Sequence, residues 1–453
     1  MKRLKLLLIL LTGIGVYNGY AQTEMTLQEC LKYALANNQR LAYTRLDEDM
    51  GRFKTAEVKS RALPQINGTG TYTNNIKKPV FPLPGDVVGQ PGQTVLLESG
   101  LTHNLSAGAT LEQKVFDQTV FTGLKAAKTT EEYYRMATVQ SEENVIYNVS
   151  QAYYQALVTR EKIRVLDANI GKLSTLVETT NTQFRNGLAR KIDLDRIRVN
   201  LTNYKTQRIQ QENQYLVQLN QLRQQIGMPA GTALELPRAS FAELEDKTAA
   251  GLAFGSLDLD NRIEYRLLDK QTELQELQKK AYIAEYYPSL SLTGSYSYNG
   301  LSNNFDFLKS KSNGSTANWY GMASVGLTLK IPIFDGFGRR SRVNQANVTL
   351  RQLSKQKEET ALALNTAFEN AKLQVKSNLG TIQAQQENVD LANEVYNATQ
   401  NNYKLGLADL TDLLDAETSL TEAQNNYNEA LLQYKLAELD IIKSNGNLKN
   451  LLN

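Results

Sequence analysis

Residues 288–298 read PSLSLTGSYSY, and this stretch decides the class of fold. In an extended chain, successive side chains point to opposite faces. Leu290, Leu292, Tyr296 and Tyr298 then share one face, while serine and threonine side chains lie on the other. This period of two predicts a β-strand with one apolar face and one hydrated face.

Three other segments alternate in the same way. They form pairs between the two halves of the chain, 65–73 with 288–298 and 101–111 with 320–329. The four windows around them contain no charged residue, although 21% of the chain is charged. These windows are 62–76, 99–111, 289–305 and 318–329. Because a charge that faces the bilayer midplane costs about 2–4 kcal/mol, we predict four membrane strands. An ordinary antiparallel sheet in a soluble domain is the alternative.

Aromatic residues lie near the predicted strand ends, where a membrane barrel carries a girdle at the interface between lipid and water. They are Tyr72, Tyr296, Tyr298, Trp319 and Tyr320. Each strand pair also encloses a connecting segment. Residues 77–100 contain four of the nine prolines, and residues 299–317 are rich in Asn, Ser and Gly, so we predict a surface loop at both places.

The chain is a tandem repeat. Residues 184–195 (FRNGLARKIDLD) align with residues 403–414 (YKLGLADLTDLL), so that Gly187 corresponds to Gly406. The paired strand segments align at nearly the same shift. We predict a first structural repeat over 22–240, a linker over 241–258 and a second structural repeat over 259–453.

A very long helix follows each strand pair. Proline is absent between Pro91 and Pro229 and after Pro332, and apolar residues recur at spacings of four and three from Val145 to Val177. This heptad pattern predicts outgoing helices of about 65–70 residues, roughly 100 Å long. The two aligned glycines are then the turns of two helical hairpins, because glycine tolerates a positive φ. The helices alone are equally typical of a soluble coiled-coil rod.

Four strands cannot form a closed membrane sheet by themselves. Lipid offers no water to an unpaired strand edge, so a spanning sheet must close on itself. Two chains would supply eight strands and three chains twelve. An eight-stranded barrel is filled by its own side chains, whereas a larger one leaves a lumen. The Ser, Thr, Asn and Gly face suits water, so we predict a trimeric 12-stranded barrel, continued by a coiled-coil tunnel of helices.

The first 21 residues predict a cleaved signal peptide. They contain a basic start, an apolar run over 6–16 and small residues up to Ala21. Cys30 follows without the small residues that precede a lipidated cysteine, so we expect a buried free thiol on a helix and no lipid anchor.

Composition excludes several functions. The net charge of +3 includes three basic residues of the signal peptide, so the mature chain is close to neutral and a nucleic-acid partner has no support. One Cys and one His exclude a His/Cys metal cluster within a single chain. We find no phosphate loop and no pairing of a nucleophile with a base, and we predict neither catalysis nor a cofactor.

In this order of elements, and in several short motifs, the chain resembles the TolC-like outer-membrane efflux protein family. The matching residues are Leu27-Gln28-Glu29-Cys30-Leu31, Pro64, Pro288, Ile333-Phe334-Asp335-Gly336-Phe337, and Tyr403 through Gly406 to Asp412-Leu413-Leu414-Asp415-Ala416. The resemblance implies an outer-membrane exit duct with a large periplasmic extension. It also implies a homotrimer that docks to a periplasmic adaptor and an inner-membrane pump of the RND or ABC type. The cargo is left open, and a non-pore coiled-coil scaffold is the alternative function.

The resemblance also implies functional residues at the hairpin tips. Asp412 and Asp415 lie three residues apart on one helix face and match the acids that line the family's periplasmic aperture. Threefold symmetry would produce a ring of six carboxylates that attracts cations. We add Tyr403, Asp193 and Arg190 to this aperture, and we expect Arg190, Lys191 and Asp193 to pair across the first tip in the closed state. The alternative is that Asp409, Asp412 and Asp415 simply favour a helix N-terminus, with Asp409 as its cap.

The turns themselves are candidates for adaptor contact, because small residues let a partner's backbone approach. These residues are Gly187, Leu188, Ala189, Gly406, Leu407 and Ala408. The alternative is a turn that needs glycine only for its own geometry.

Overall fold

The computed structural model describes residues 23–237, 257–309 and 311–452. The predicted signal peptide and most of the predicted linker, residues 241–256, lie outside the described residues. Among the helices within these ranges, none is both long enough and apolar enough to cross a membrane.

Helices make up most of the described chain. They are α1 (Leu27–Asn37), α2 (Gln39–Ser60), α3 (Gln118–Arg185), α4 (Lys191–Ile226), α5 (Ile263–Ala284), α6 (Gly338–Lys404) and α7 (Leu410–Ser444). The strands are β1 (Thr23–Glu24), β2 (Gln65–Asn74), β3 (Val80–Pro84), β4 (Thr94–Glu98), β5 (His103–Phe116), β6 (Leu234–Glu235), β7 (Ser289–Ser302) and β8 (Asn318–Lys330). The outgoing helices α3 and α6 contain 68 and 67 residues, which confirms the predicted length.

One compact unit, the helical unit, contains the described residues up to Asp47, those of Arg135–Leu268 and those from Gln356 onward. The predicted seams form its core. In α3, Val145, Val149, Ala156, Leu166 and Leu173 are buried, and in α6 so are Phe368, Ala371, Val375, Ile382 and Tyr396. Periodic burial of this kind follows from heptads, because positions a and d return to the same side of the helix.

Helix α1 joins the same core. Its capping box fixes where it begins, since the Thr26 N–H donates to Glu29 Oε2 at 2.7 Å and the Glu29 N–H donates to Thr26 Oγ1 at 3.3 Å. Cys30 on this helix is fully buried and free, as predicted, and burial raises the pKa of its thiol to about 12.

The second compact unit, the strand unit, contains Glu48–Tyr134 and Asp269–Lys355. Each unit therefore draws on both halves of the sequence. The main sheet of the strand unit is antiparallel, in the order β2-β5-β7-β8, so β2 and β8 are the edge strands of this sheet. The four predicted strands are confirmed. The central pairing of β5 with β7 joins the strand pair of the first half to that of the second.

The register of the sheet brings the apolar positions of the four strands onto one face. Ile66 lies opposite Leu111, and Leu292 lies opposite Leu327. Val325, on the same face, is 82% exposed. On the other face, the hydroxyls of Ser295 and Ser324 lie 2.7 Å apart. The sheet thus has the predicted apolar and polar faces, and the apolar face is exposed within this chain.

The predicted loop over 77–100 was wrong in part, because it contains the hairpin β3–β4. Pro82 and Pro84 fit into this hairpin because each strand of a two-stranded sheet has a free edge. At a free edge, the N–H that proline lacks is not needed for a hydrogen bond between strands. The loop predicted over 299–317 begins later than predicted, because β7 continues to Ser302. Ser302 pairs with His103 of β5, and Leu301 pairs with Asn318 of β8.

Candidate functional site

Both helical hairpins of the helical unit close in the same way. Gly187 has φ +74° and Gly406 has φ +73°, as the predicted turns require. The Leu188 N–H donates to the Gln183 carbonyl, and the Leu407 N–H donates to the Asn402 carbonyl, each at 2.8 Å. This is the Schellman arrangement, which satisfies the last carbonyls of each outgoing helix.

The turns leave apolar side chains in solvent. Leu188 is 80% exposed and Leu407 is 75% exposed. Ala189 and Ala408, which follow them, are half-buried. The first turn therefore carries one highly exposed leucine, and the second tip carries two, because Leu405 is 73% exposed as well.

Arg190 and Asp193 pair with each other inside the first turn of α4. Arg190 Nε donates to Asp193 Oδ2 at 2.8 Å, and Nη2 donates to Oδ1 at 3.1 Å. Hydrogen bonding to Asp193 raises the pKa of Arg190, and the charge of Asp409 on the other hairpin raises it further. In this chain the pair stabilises a local turn. A pairing across the aperture stays a prediction.

At the other tip, Asp409 is the N-cap of α7, as predicted. Asp412 Oδ2 accepts the Asp409 N–H at 3.2 Å, so this carboxylate satisfies a backbone donor at the helix start. Asp412 and Asp415 are both exposed. The structure therefore brings the two candidate gate acids to one exposed face near the tip, and it gives Asp412 a local structural contact as well.

The two tips lie together. Arg196 Nη1 on α4 donates to Thr411 Oγ1 on α7 at 3.2 Å. Buried Ile197 packs in one cluster with Leu410 and Leu414. Tyr403 is half-buried against this cluster. The return helices α4 and α7 are thus fixed to each other where both begin.

A cavity of about 590 Å³ opens between the hairpins. Its lining includes residues from both turns and from deeper in the helices: Arg190, Asp193, Tyr403, Gly406, Asp409, Lys172, Tyr396 and Glu417. Five of these are tip residues named from the sequence: Arg190, Asp193, Tyr403, Gly406 and Asp409. Lys172 and Glu417 were missed, because a charged residue beside a heptad seam is usually a solvated flank.

The predicted girdle residues lie in the strand unit. Trp319 stacks on Tyr298 with ring centroids 5.2 Å apart, and Tyr72 contacts Phe305 edge to face at 5.5 Å. Because β7 runs to Ser302, Tyr296 and Tyr298 lie inside the strand instead of at its end. His103, Phe305 and Phe307 belong to the same aromatic group, and the alternation pattern offered no signal for any of them.

Comparison with known proteins identifies the family. Residues 30–228 and 267–447 match the sequence profile described as "Outer membrane efflux protein". The chain is 21% identical over 450 residues to outer membrane protein TolC of Vibrio cholerae serotype O1, covering 99% of this chain and 96% of that protein. It is 24% identical over 332 residues to alkaline protease secretion protein AprF of Pseudomonas aeruginosa, covering 72% of this chain and 66% of that protein.

The fold agrees with these matches. The crystal structure of the outer membrane protein VceC of Vibrio cholerae superposes with a TM-score of 0.71 at 14% identity, covering 93% of this chain and 96% of that chain. The profile match, which spans most of the sequence, confirms the prediction of an outer-membrane efflux duct. This chain belongs to the outer membrane efflux protein family.

Proposed function

We propose that three copies of this chain form a 12-stranded barrel in the outer membrane, continued into the periplasm by a tunnel of coiled-coil helices. The duct is passive, and an adaptor with an RND- or ABC-type inner-membrane pump opens it. One observation carries this proposal. The four-stranded sheet exposes a continuous apolar face, and each of its two edge strands, β2 and β8, pairs on one side only among the described residues.

The unpaired edges require more than one copy, and the polar face of the sheet favours three. Strands β2 and β8 contain 10 and 13 residues, the length that a tilted membrane strand needs. In lipid, each unpaired N–H or C=O group costs several kcal/mol, so β8 of one chain must pair with β2 of the next. Three chains close a barrel whose polar faces surround a water-filled lumen. The two tandem repeats, 22–240 and 259–453, supply one strand pair each.

The hairpin tips supply the gate. In a trimer, Asp412 and Asp415 of three copies form a ring of six carboxylates at the periplasmic end, together with Tyr403, Arg190 and Asp193. A narrow ring of one charge focuses the electric field and attracts cations. The exposure of both aspartates supports this assignment.

Planar-bilayer recording of the purified, detergent-extracted oligomer tests the duct. We expect discrete, cation-selective conductance steps from a trimer. A protein that is extracted without detergent and gives no steps would contradict the barrel and favour the non-pore coiled-coil scaffold instead. Migration in a gel that changes on heating is a second readout, because closed membrane barrels resist unfolding in cold detergent.

The exposed leucines of the two turns are the proposed adaptor contacts. We expect the double change Leu188→Asp and Leu407→Asp to abolish most export. Burying one leucine side chain contributes about 1.5–3 kcal/mol to the free energy of docking. Its loss therefore lowers the affinity for the adaptor roughly tenfold to more than a hundredfold. Export is measured in cells that lack their own copy of the chain. Trimer abundance and bilayer conductance serve as controls and should stay unchanged. Normal export by the double variant would exclude docking through these leucines.

A further inference from the structure

Glu417 is a carboxyl group buried deep in the helical unit. It lies on α7 and is 3% exposed. Its Oε1 has no hydrogen-bond partner within the described chain. A buried carboxylate without partners is costly, because the charged form loses its hydration. Packing alone does not explain an acid at this position.

Three neighbouring helices face Glu417. Lys172 on α3 is the cation whose charge favours the ionised form of Glu417. Its ammonium group lies 4.6 Å from the centre of the Tyr396 ring on α6. Burial raises the pKa of Tyr204 on α4, and the charge of Glu417 raises it as well. The Tyr204 hydroxyl lies 3.2 Å from Oγ1 of Thr421, which follows Glu417 by one turn of α7. Asn169 Nδ2 on α3 donates to the same Thr421 hydroxyl at 2.7 Å. Glu417 therefore lies where α3, α4, α6 and α7 meet.

The packed arrangement favours the neutral acid. Burial raises the pKa of Glu417 from 4.5 to about 7, and the charge of Lys172 offsets only part of this effect. The pKa of Tyr396 is raised by burial first and by the charge of Glu417 second. A phenol beside an ionised Glu417 thus stays protonated.

The cavity links this acid to the tips. Glu417, Lys172 and Tyr396 line the same space as Gly406 and Asp409. If the hairpins move apart there, the Glu417 carboxyl group becomes hydrated from this cavity. Its proton affinity then returns toward that of an exposed acid.

We propose that Glu417 is a proton-binding site that couples the packing of the two hairpin tips to pH, binding its proton more tightly while the helices are packed as here than once they separate. Its connection to duct opening rests on the proposed function. The charged and titratable groups that face it or share its cavity are Lys172, Arg190, Asp193, Tyr204, Tyr396, Tyr403, Lys404 and Asp409.

The direction of the pH effect follows from the raised pKa. The packed state binds the proton more tightly than the open state, so protonation stabilises packing fully below about pH 4.5. This stabilisation is lost as the pH rises from about 4.5 to about 7 and does not change further above that range. The open-to-packed equilibrium should shift by up to about 300-fold across the window, since each pKa unit is a factor of ten.

Hydrogen–deuterium exchange of the detergent-solubilised full chain tests the proposal. The quantity is the protection factor of amides in residues 404–420, corrected for the intrinsic exchange rate at each pH. We expect protection in the wild type to fall between pH 4.5 and 7.5. Glu417→Gln, a neutral isostere, should remove this fall and raise protection at pH 8, with little change at pH 4. The matched control is Glu422→Gln, which changes an exposed acid on the same helix and should behave as the wild type.

A second variant covers the case in which Glu417→Gln does not fold. Lys172→Gln removes the cation and should lower protection at pH 8 while leaving it unchanged at pH 4. A flat wild-type profile, or the same profile in wild type and Glu417→Gln, would overturn the proposal. Exchange does not require a conducting pore, so a failure of the duct in bilayers and a failure of the proton site are distinguished.

Discussion

Replacing Val325 by Lys is expected to prevent most of the chain from reaching its membrane-inserted state. Val325 lies in the middle of β8, opposite Gly294, and is 82% exposed on the apolar face. If this face meets lipid, each lysine costs about 2–4 kcal/mol near the bilayer midplane. The equilibrium constant for membrane insertion should then fall roughly 30-fold to 1,000-fold for each protomer. The measurement is the amount of heat-modifiable trimer in isolated outer membranes.

The neighbouring residue provides the control. Ser324 follows Ala323 on the same strand, is exposed, and lies on the polar face beside Ser295. Ser324→Lys should therefore insert almost normally and change the ion selectivity of the pore instead. Equal loss of both variants would indicate general damage to the strand. Normal assembly of Val325→Lys would show that the apolar face does not contact lipid.

Replacing both Asp412 and Asp415 by Ala should raise leak through the resting duct and weaken its cation selectivity. The change removes six negative charges from the proposed ring. It also removes the acceptor for the Asp409 N–H, a cap contact that is typically worth about 1 kcal/mol. We expect the preference for cations to fall severalfold, because focused fields at a constriction raise local ion concentration by about tenfold or more. Reversal potentials in salt gradients measure the preference, and single-channel conductance measures the leak.

Two controls separate charge from structure. Asp412→Asn with Asp415→Asn removes the charge but retains an oxygen that can accept the Asp409 N–H. It should reproduce the loss of selectivity with less leak. Asp390→Ala with Glu394→Ala removes two exposed acids of α6 away from the tip and should change neither quantity. Unchanged selectivity in the Asp412 and Asp415 variants would exclude a role for these acids at the aperture.

Much of the fold could be predicted because its repeats are local. A strand shows its two faces in alternate residues, and a packed helix shows its seam in heptads, so Leu290 to Tyr298 and Val145 to Val177 indicate their own secondary structure. The turns at Gly187 and Gly406 could be found because αL geometry strongly favours glycine. Strand ends were predicted less well, since Asn299 to Ser302 extend β7 only through pairing with β5 and β8.

The candidate site was predicted only in part. The acids of the second tip stood out because they resemble a family motif, and Asp409 stood out because it precedes a helix. Glu417 did not, because its burial depends on α3, α4 and α6 packing around α7. Likewise, nothing in the chain order indicates that Arg190 lies near Asp409 of the other hairpin.

By itself, the sequence determined the periodic elements of this protein: four alternating strands, two hairpins of very long helices and their glycine turns. Short-range geometry dictates these features, because side-chain direction repeats every two residues in a strand and every 3.6 in a helix. Only the tertiary structure decided that β5 pairs with β7, that the two tips share one cavity and that Glu417 lies buried beneath them. Those features join residues more than 150 positions apart, and long-range packing sets the environment of each charge.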